Sequence, residues 1–309
     1  MKKIIALAVA GAFVAPVYAA DVTIGGSVGY VIENSDDTAT SIGNLDANNI
    51  KVTATDELAN GMTVTGVFNI EDDQNVHTGD GSSLTVSGDF GSLAMGDVAG
   101  AANAVGDYTD VAAWFGGFAG DGVDHAVSIT PNLGVDGLTV MASWSPNTVA
   151  NISAGSGVHG DMTGFSAKYA IGSAEVYAAA ETYRGEAEEL DFSAYGVKYS
   201  VGGFTVAYET ASEEAPVANV DAIWGGVLAA SVTDAGEDIE YTGASITYGM
   251  GDITFAAENQ KQEQGTTEIK DTTTMSATYA MGPLSVAVSI SEEDVAATDS
   301  TALKFAYSF

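Results

Sequence analysis

One unit recurs along the second half of the chain: an alternating run of apolar and small polar residues, a tyrosine, and a glycine three residues on. Tyr169-Ala-Ile-Gly172, Tyr199-Ser-Val-Gly202, Tyr248-Gly-Met-Gly251 and Tyr279-Ala-Met-Gly282 repeat it. The chain then ends on the same rhythm, Leu303-Lys304-Phe305-Ala306-Tyr307-Ser308-Phe309. The tyrosines, with Tyr307, fall 30, 49, 31 and 28 residues apart, about one long-looped hairpin per step with one enlarged loop. A strand that ends in an aromatic ring and turns on glycine, used repeatedly, is what a closed antiparallel barrel in a membrane requires. The rings mark one membrane interface and the turns lie just beyond it.

The strands carry two distinct faces. Leu284, Val286, Val288 and Ile290 alternate with Ser285, Ala287 and Ser289. Leu303, Phe305, Tyr307 and Phe309 alternate with Lys304, Ala306 and Ser308, and Phe204, Val206 and Tyr208 with Thr205, Ala207 and Glu209. Side chains point to opposite sides at successive strand positions, so each segment has one greasy and one polar side. A soluble sandwich would bury the greasy side in its core, whereas a barrel turns it to lipid. The polar sides favour the barrel, because they hold small residues rather than the long charged side chains of a soluble surface. Those charges collect in alternate loops instead: Glu33, Asp36, Asp37 and Asp46; Glu186, Glu188, Glu189 and Asp191; Glu292, Glu293 and Asp294. Long acidic loops at one end and tight glycine-rich turns at the other is the asymmetry of an outer-membrane barrel.

Residues 1–19 read as a signal peptide. Lys2 and Lys3 precede a twelve-residue apolar run, Ile4 to Ala15, too short to span a bilayer as a helix. Val17-Tyr18-Ala19 fits a cleavage site, so the mature chain is expected to begin at Ala20. No other stretch reaches eighteen apolar residues, which argues against a membrane helix. The mature chain keeps seven basic residues against 42 acidic ones, a formal charge of −35. With no basic surface to neutralise phosphates, nucleic acid is excluded as a partner. Cysteine is absent, so backbone pairing and packing alone must hold the fold. Nothing in residues 20–309 reads as a linker, and they are expected to form one domain.

Segment counting gives about sixteen strands, near 21–33, 48–58, 62–72, 82–90, 91–97, 124–131, 137–145, 160–170, 173–183, 191–200, 203–210, 239–249, 252–260, 270–280, 283–291 and 299–309. An even count puts both termini on the short-turn side. The stretch 211–238, with Ile223-Trp224-Gly225-Gly226-Val227-Leu228, reads either as a large loop or as an extra hairpin.

At this point the chain resembles the general diffusion porins of Gram-negative outer membranes. The resemblance rests on Gly91-Ser-Leu-Ala-Met-Gly-Asp97, on the following stretch with Gly106-Asp107-Tyr108-Thr109-Asp110, on the start Ala20-Asp21-Val22-Thr23-Ile24-Gly25-Gly26 and on the terminal Phe309. It implies an all-β, trimeric, transmembrane antiparallel barrel of sixteen strands. It also implies a third loop, 98–123, folded into the channel, and a second loop, 72–82, that latches a neighbouring subunit. Outer-membrane lipid and lipopolysaccharide are implied as surroundings. Phe309 is implied as a signal to the barrel assembly machinery. The family usually faces its acidic loop with a dense basic cluster on the wall, and that cluster is depleted here.

A barrel of this width leaves an aqueous lumen, and a loop folded into it sets the limiting size and charge. Asp107 and Asp110 are the leading constriction residues, with Asp121 and Asp124 at the loop base. Each also suits turn chemistry, as in Gly106-Asp107 and Gly120-Asp121-Gly122. By parity Lys51, Lys168, Lys198 and Lys304 face the lumen, because a lysine facing lipid at the midplane costs roughly 2–4 kcal/mol. Lys51 enters from the loop side and is the one plausible base at the narrows; otherwise it is a solvated rim charge. Asp72-Asp73 and Glu292-Glu293-Asp294 could hold Ca²⁺ or Mg²⁺ through oxygen ligands, though acidic runs are more often solvated loops. No cofactor is otherwise expected. His77, His125 and His159 form no catalytic motif, and Ser128 and His125 fall on opposite sides of one strand. Trp114, Phe115 and Phe118 read as wedges for the inward loop. The expected activity is passive diffusion of small hydrophilic solutes and ions, with cations preferred. A substrate-specific channel, or a structural or adhesive barrel without conductance, are the alternatives.

Overall fold

The computed structural model describes residues 21–36, 38–45, 48–71, 81–102, 108–109, 123–149, 159–185, 189–214 and 237–309. The strands are β1 (Asp21–Ser35), β2 (Thr38–Asn44), β3 (Asn49–Glu57), β4 (Thr63–Glu71), β5 (Ser82–Gly88) and β6 (Gly91–Val98). They continue as β7 (Val123–Pro131), β8 (Leu138–Val149), β9 (His159–Ile171), β10 (Ala174–Gly185), β11 (Glu189–Val201) and β12 (Phe204–Glu213). The last are β13 (Ile239–Met250), β14 (Ile253–Gln264), β15 (Thr267–Met281), β16 (Leu284–Glu293) and β17 (Thr298–Ser308). Both β2 and β3 pair antiparallel with β1, every strand from β3 to β16 pairs antiparallel with the next, and β17 returns to β1, so the sheet closes on itself and leaves no edge.

Seventeen segments occupy sixteen positions around the wall. The segment β3 pairs with Asp21–Ser27 of β1, and β2 pairs with its other half, Tyr30–Ser35. Together β2 and β3 are one wall strand broken near residue 45. At the break the Gly29 carbonyl accepts from the Leu45 amide at 3.0 Å, and the Gly29 amide donates to Asn48 Oδ1 at 2.5 Å. The ladder is thus completed by a side chain. The segment Thr38–Asn44 lay within an acidic loop in the sequence reading. It holds a single large apolar residue, Ile42, too little to show an alternation. Whether residues 215–236 add a hairpin lies outside the described residues, as do residues 1–20 with the Ala19–Ala20 cleavage site.

The four turns after Tyr169, Tyr199, Tyr248 and Tyr279 begin at Gly172, Gly202, Gly251 and Gly282, with φ of 61°, 57°, 61° and 62°. Only glycine adopts this region at no steric cost, and two-residue hairpins need it to match the strand twist. The tyrosine-to-glycine spacing therefore encodes a strand end and its turn together.

Exposure separates the faces. Val22, Ile24, Val28, Tyr30 and Ile32 of β1 point outward, in register with Leu303, Phe305 and Tyr307 of β17. The buried apolar residues lie on the inner face instead. Tyr177, Ala179, Phe192, Ala194, Ala211, Ile239 and Tyr241 pack against Ala102 and Tyr108 inside the barrel. The core is therefore a filling of one side of the lumen, along β10 to β13. Single cysteines placed along Leu284–Ile290 should label in alternation with a membrane-impermeant, pore-permeant thiol reagent. Positions 285, 287 and 289 should react and 284, 286, 288 and 290 should not. Reaction of the apolar set would reject this register.

Candidate functional site

Strands of period two give every wall position a lumen-facing row, and what the chain places in those rows decides what can pass. Two short stretches between β6 and β7 lie against that inner face. The first is Ala101–Ala102. Its backbone amides donate to Ser143 Oγ of β8 at 2.9 Å and to Glu181 Oε1 of β10 at 3.2 Å. The second is Tyr108–Thr109. Both amides donate to Glu209 Oε2 of β12 at 3.2 Å, and Thr109 Oγ1 donates to the same oxygen at 2.9 Å. The Tyr108 carbonyl accepts from Ser245 Oγ at 3.1 Å and the Thr109 carbonyl from Gln260 Nε2 at 2.8 Å. Wall side chains from β8 to β14 thus satisfy backbone groups that would otherwise be buried unpaired.

Small residues make room for this contact. A side chain at Gly196 of β11 would stand 3.0 Å from the Tyr108 ring. The ring meets Tyr177 edge-on at 5.0 Å, and its hydroxyl donates to Glu175 at 2.6 Å. Glu175 also pairs with Lys198 at 2.9 Å, and the Lys198 ammonium lies 4.3 Å from the centre of the Tyr108 ring. One carboxylate therefore joins two wall strands to the inward segment. Burial, and then the hydrogen bond to Glu175, push the Tyr108 phenol above its ordinary range, so it stays a donor.

The sequence-predicted residues divide as follows. Asp107, Asp110 and Asp121 lie outside the described residues. Asp124 lies in β7, and its side chain is outside them too, as is most of the expected latch at 72–82. Lys51, Lys168, Lys198 and Lys304 occupy inner-face positions, across from Gly25, Tyr177, Glu175 and Val31 in the register. Only Lys198 joins the inward contact. Lys51 stands on β3, across the barrel from it. Phe309 exchanges two backbone hydrogen bonds of 3.0 Å with Gly26, beside the β17–β1 seam. Among the described residues, no group of three or more histidine, aspartate or glutamate side chains is placed to hold a metal ion.

The sequence reading missed Glu181 and Glu209 as anchors. The signal was present: each is a carboxylate in mid-strand with alanines two residues away on the same face, Ala179 beside Glu181 and Ala207 and Ala211 beside Glu209.

Known structures share this architecture. The anion-selective porin from Comamonas acidovorans superposes with a TM-score of 0.71 at 13% identity, over 94% of this chain and all of that one. A porin refined at 1.8 Å gives 0.70 at 19% identity over the same shares. The trimer form of OmpT from Vibrio cholerae gives 0.70 at 14% identity, again over 94% and 100%. Comparison with curated protein sequences gave no match. The family description that fits is "Gram-negative porin", whose profile matches residues 6–233, most of the chain. The chain belongs to the Gram-negative porins, the passive diffusion channels of the outer membrane.

Proposed function

We propose that this porin works as a homotrimer that passes small hydrophilic solutes and inorganic ions and prefers cations. The inward segment clamped to one side of the wall carries the reading, because it takes up part of the lumen while the opposite wall carries Lys51 amid hydroxyls, an amide and glycine. Support for the sign comes from charge. A formal charge of −35 on the mature chain enriches cations at the mouths, and Asp107 and Asp110, which flank Tyr108 and Thr109 in the chain, are the acidic residues proposed to act at the narrows. Lys51 and Lys304 oppose this preference. The wall carboxylates Glu181 and Glu209 are taken up by the backbone amides of the inward segment. The anion-selective relative is only 13% identical, which carries the fold and not the sign of the permeant ion. Lipopolysaccharide around the apolar band and the barrel assembly machinery at Phe309 complete the proposed surroundings, and Ca²⁺ or Mg²⁺ at the acidic loops is compatible with them.

The reversal potential in a KCl gradient tests this. It should show cation preference that weakens with salt, as the Debye length falls from about 10 Å at 0.1 M to about 3 Å at 1 M. Lys51→Ala should strengthen it, and Asp107→Asn with Asp110→Asn should weaken it. Anion preference in the unmodified channel would refute the sign. A folded trimer without conductance would refute the channel in favour of a structural barrel.

A further inference from the structure

Behind the inward segment, one row of inner-face residues runs straight across four strands. Ser128 of β7 stands opposite Ser143 of β8, Ser143 opposite Gly164 of β9, and Gly164 opposite Glu181 of β10. Gly164 leaves a gap in the row, and both its neighbours lean into it. A side chain at Gly164 would stand 2.5 Å from Ser143 Oγ and 2.8 Å from Glu181 Oε1. Ser166, the next inner position of β9, faces Ala179, a second small residue. Ala101 and Ala102 cover the row from the lumen, held by their amides to Ser143 and Glu181. The result is a closed nest of oxygens, in which Glu181 is 1% exposed and Ser166 5%. Among the described residues, Glu181 Oε2 and Ser166 Oγ have no hydrogen-bond partner. None of the ion pairs among those residues involves Glu181, whose single partner there is the Ala102 amide.

Buried polar atoms are paired with few exceptions, and a buried carboxylate needs a balancing charge. Water would bond the two free oxygens and leave the charge. A proton on Glu181 Oε2 would remove the charge and make that atom a donor, yet no hydrogen bond joins it to Ser166. A cation between the two answers all three needs at once. We propose that the nest binds an alkali-metal cation, which locks Ala101–Ala102 to the wall. The ligands are hard oxygens: the free carboxylate oxygen of Glu181, the Ser166 hydroxyl, and the second lone pair of Ser143 Oγ. One carboxylate balances one positive charge. Ca²⁺ and Mg²⁺ would leave a buried charge of the opposite sign. The ion is structural, set between wall and inward segment, so the proposal goes beyond the channel reading and does not depend on the sign of the permeant ion.

Hydrogen exchange of the full chain, refolded in detergent, tests it. One sample is refolded and kept in about 0.1 M NaCl and the other in about 0.1 M N-methyl-D-glucamine chloride, so that screening is equal and only the first cation is small enough to enter. The peptide carrying the Ala101 and Ala102 amides should exchange about tenfold faster without sodium. Glu181→Gln should abolish the difference and Ser166→Ala should reduce it. Asp252→Asn, which removes a carboxylate from an exposed turn, should leave it intact. Equal exchange in the two salts for the unmodified protein overturns the proposal and marks a proton or a water in place of the cation. A difference that survives Glu181→Gln, or that Asp252→Asn also removes, overturns it too, because the effect then belongs to charge elsewhere. Should Glu181→Gln fail to fold, Ser166→Ala decides: undiminished sodium dependence overturns the site. A folded protein without conductance would refute the channel reading and leave the exchange result standing.

Discussion

Glu209→Ala should give a channel with higher and noisier conductance that admits larger sugars than the unmodified porin. A single oxygen, Glu209 Oε2, accepts from two backbone amides and one hydroxyl of the inward segment. Glu209 is fully buried, so water cannot replace the acceptor without the segment moving. Each hydrogen bond to a charged group contributes roughly 1.5–3 kcal/mol, and a buried donor left unpaired costs about 1–3 kcal/mol. The alanine variant should therefore lose on the order of 3 kcal/mol of anchoring or more. The contacts that remain are the Ser245 and Gln260 bonds to the carbonyls, the Tyr108 hydroxyl bond to Glu175 and the Ala101 and Ala102 bonds to Ser143 and Glu181, and none of them supplies an acceptor for the freed Tyr108 and Thr109 amides. The barrel itself should survive, because Glu209 contributes its backbone to ladders with Gly196 and Gly243 regardless of side chain. Glu209→Gln keeps one oxygen acceptor without the charge and should fall between the two. Liposome swelling with sugars of rising size, beside single-channel conductance, checks both. Unchanged conductance and unchanged exclusion in Glu209→Ala would show that the clamp does not hold the pore narrow.

Wall and site differ in how far they can be read from the chain. Strand faces are local: Leu284 to Ile290 declares its lipid side within seven residues, because the period is two and lipid tolerates no error. Tyr-x-x-Gly likewise carries a turn within four residues. The clamp is not local. Tyr108 and Glu209 are 101 residues apart, and their meeting depends on the register of several hairpins, each free to slip by two without disturbing the pattern. Glu209 looked like one polar position in an ordinary inner face. Lys51 is intermediate. Its inner facing follows from parity, whereas its lack of a carboxylate partner depends on which strand, β1, closes beside β3. The break between β2 and β3 escaped for a further reason: Asn48 replaces a backbone acceptor, and a side chain standing in for a ladder leaves no periodic trace.

The seam where β17 meets β1 is where a small deletion should matter most. Closing a barrel requires the last strand to find the first across nearly the whole chain, which is costly in loop entropy and comes late. Nine register pairs, Ser27↔Ser308 to Ser35↔Ser300, make that contact. The Phe309 amide and carbonyl extend it by two hydrogen bonds to Gly26. Its ring stacks on Tyr307 at 6.3 Å and covers Gly26, where a side chain would come within 2.9 Å of it. Deleting Phe309 removes the ring and both bonds, whereas Phe309→Ala removes the ring alone. We expect the heat-modifiable folded fraction in outer membranes to fall severalfold on deletion and less in Phe309→Ala. Gly26→Val should do more damage than Phe309→Ala, because its side chain would meet the Asn49 carbonyl of β3 as well as the ring. Refolding of the purified chain into detergent separates two causes. A defect there marks loss of closure, and normal refolding beside a low yield in cells marks loss of recognition during assembly. Normal yield of folded protein from the deletion in cells would remove both roles from Phe309.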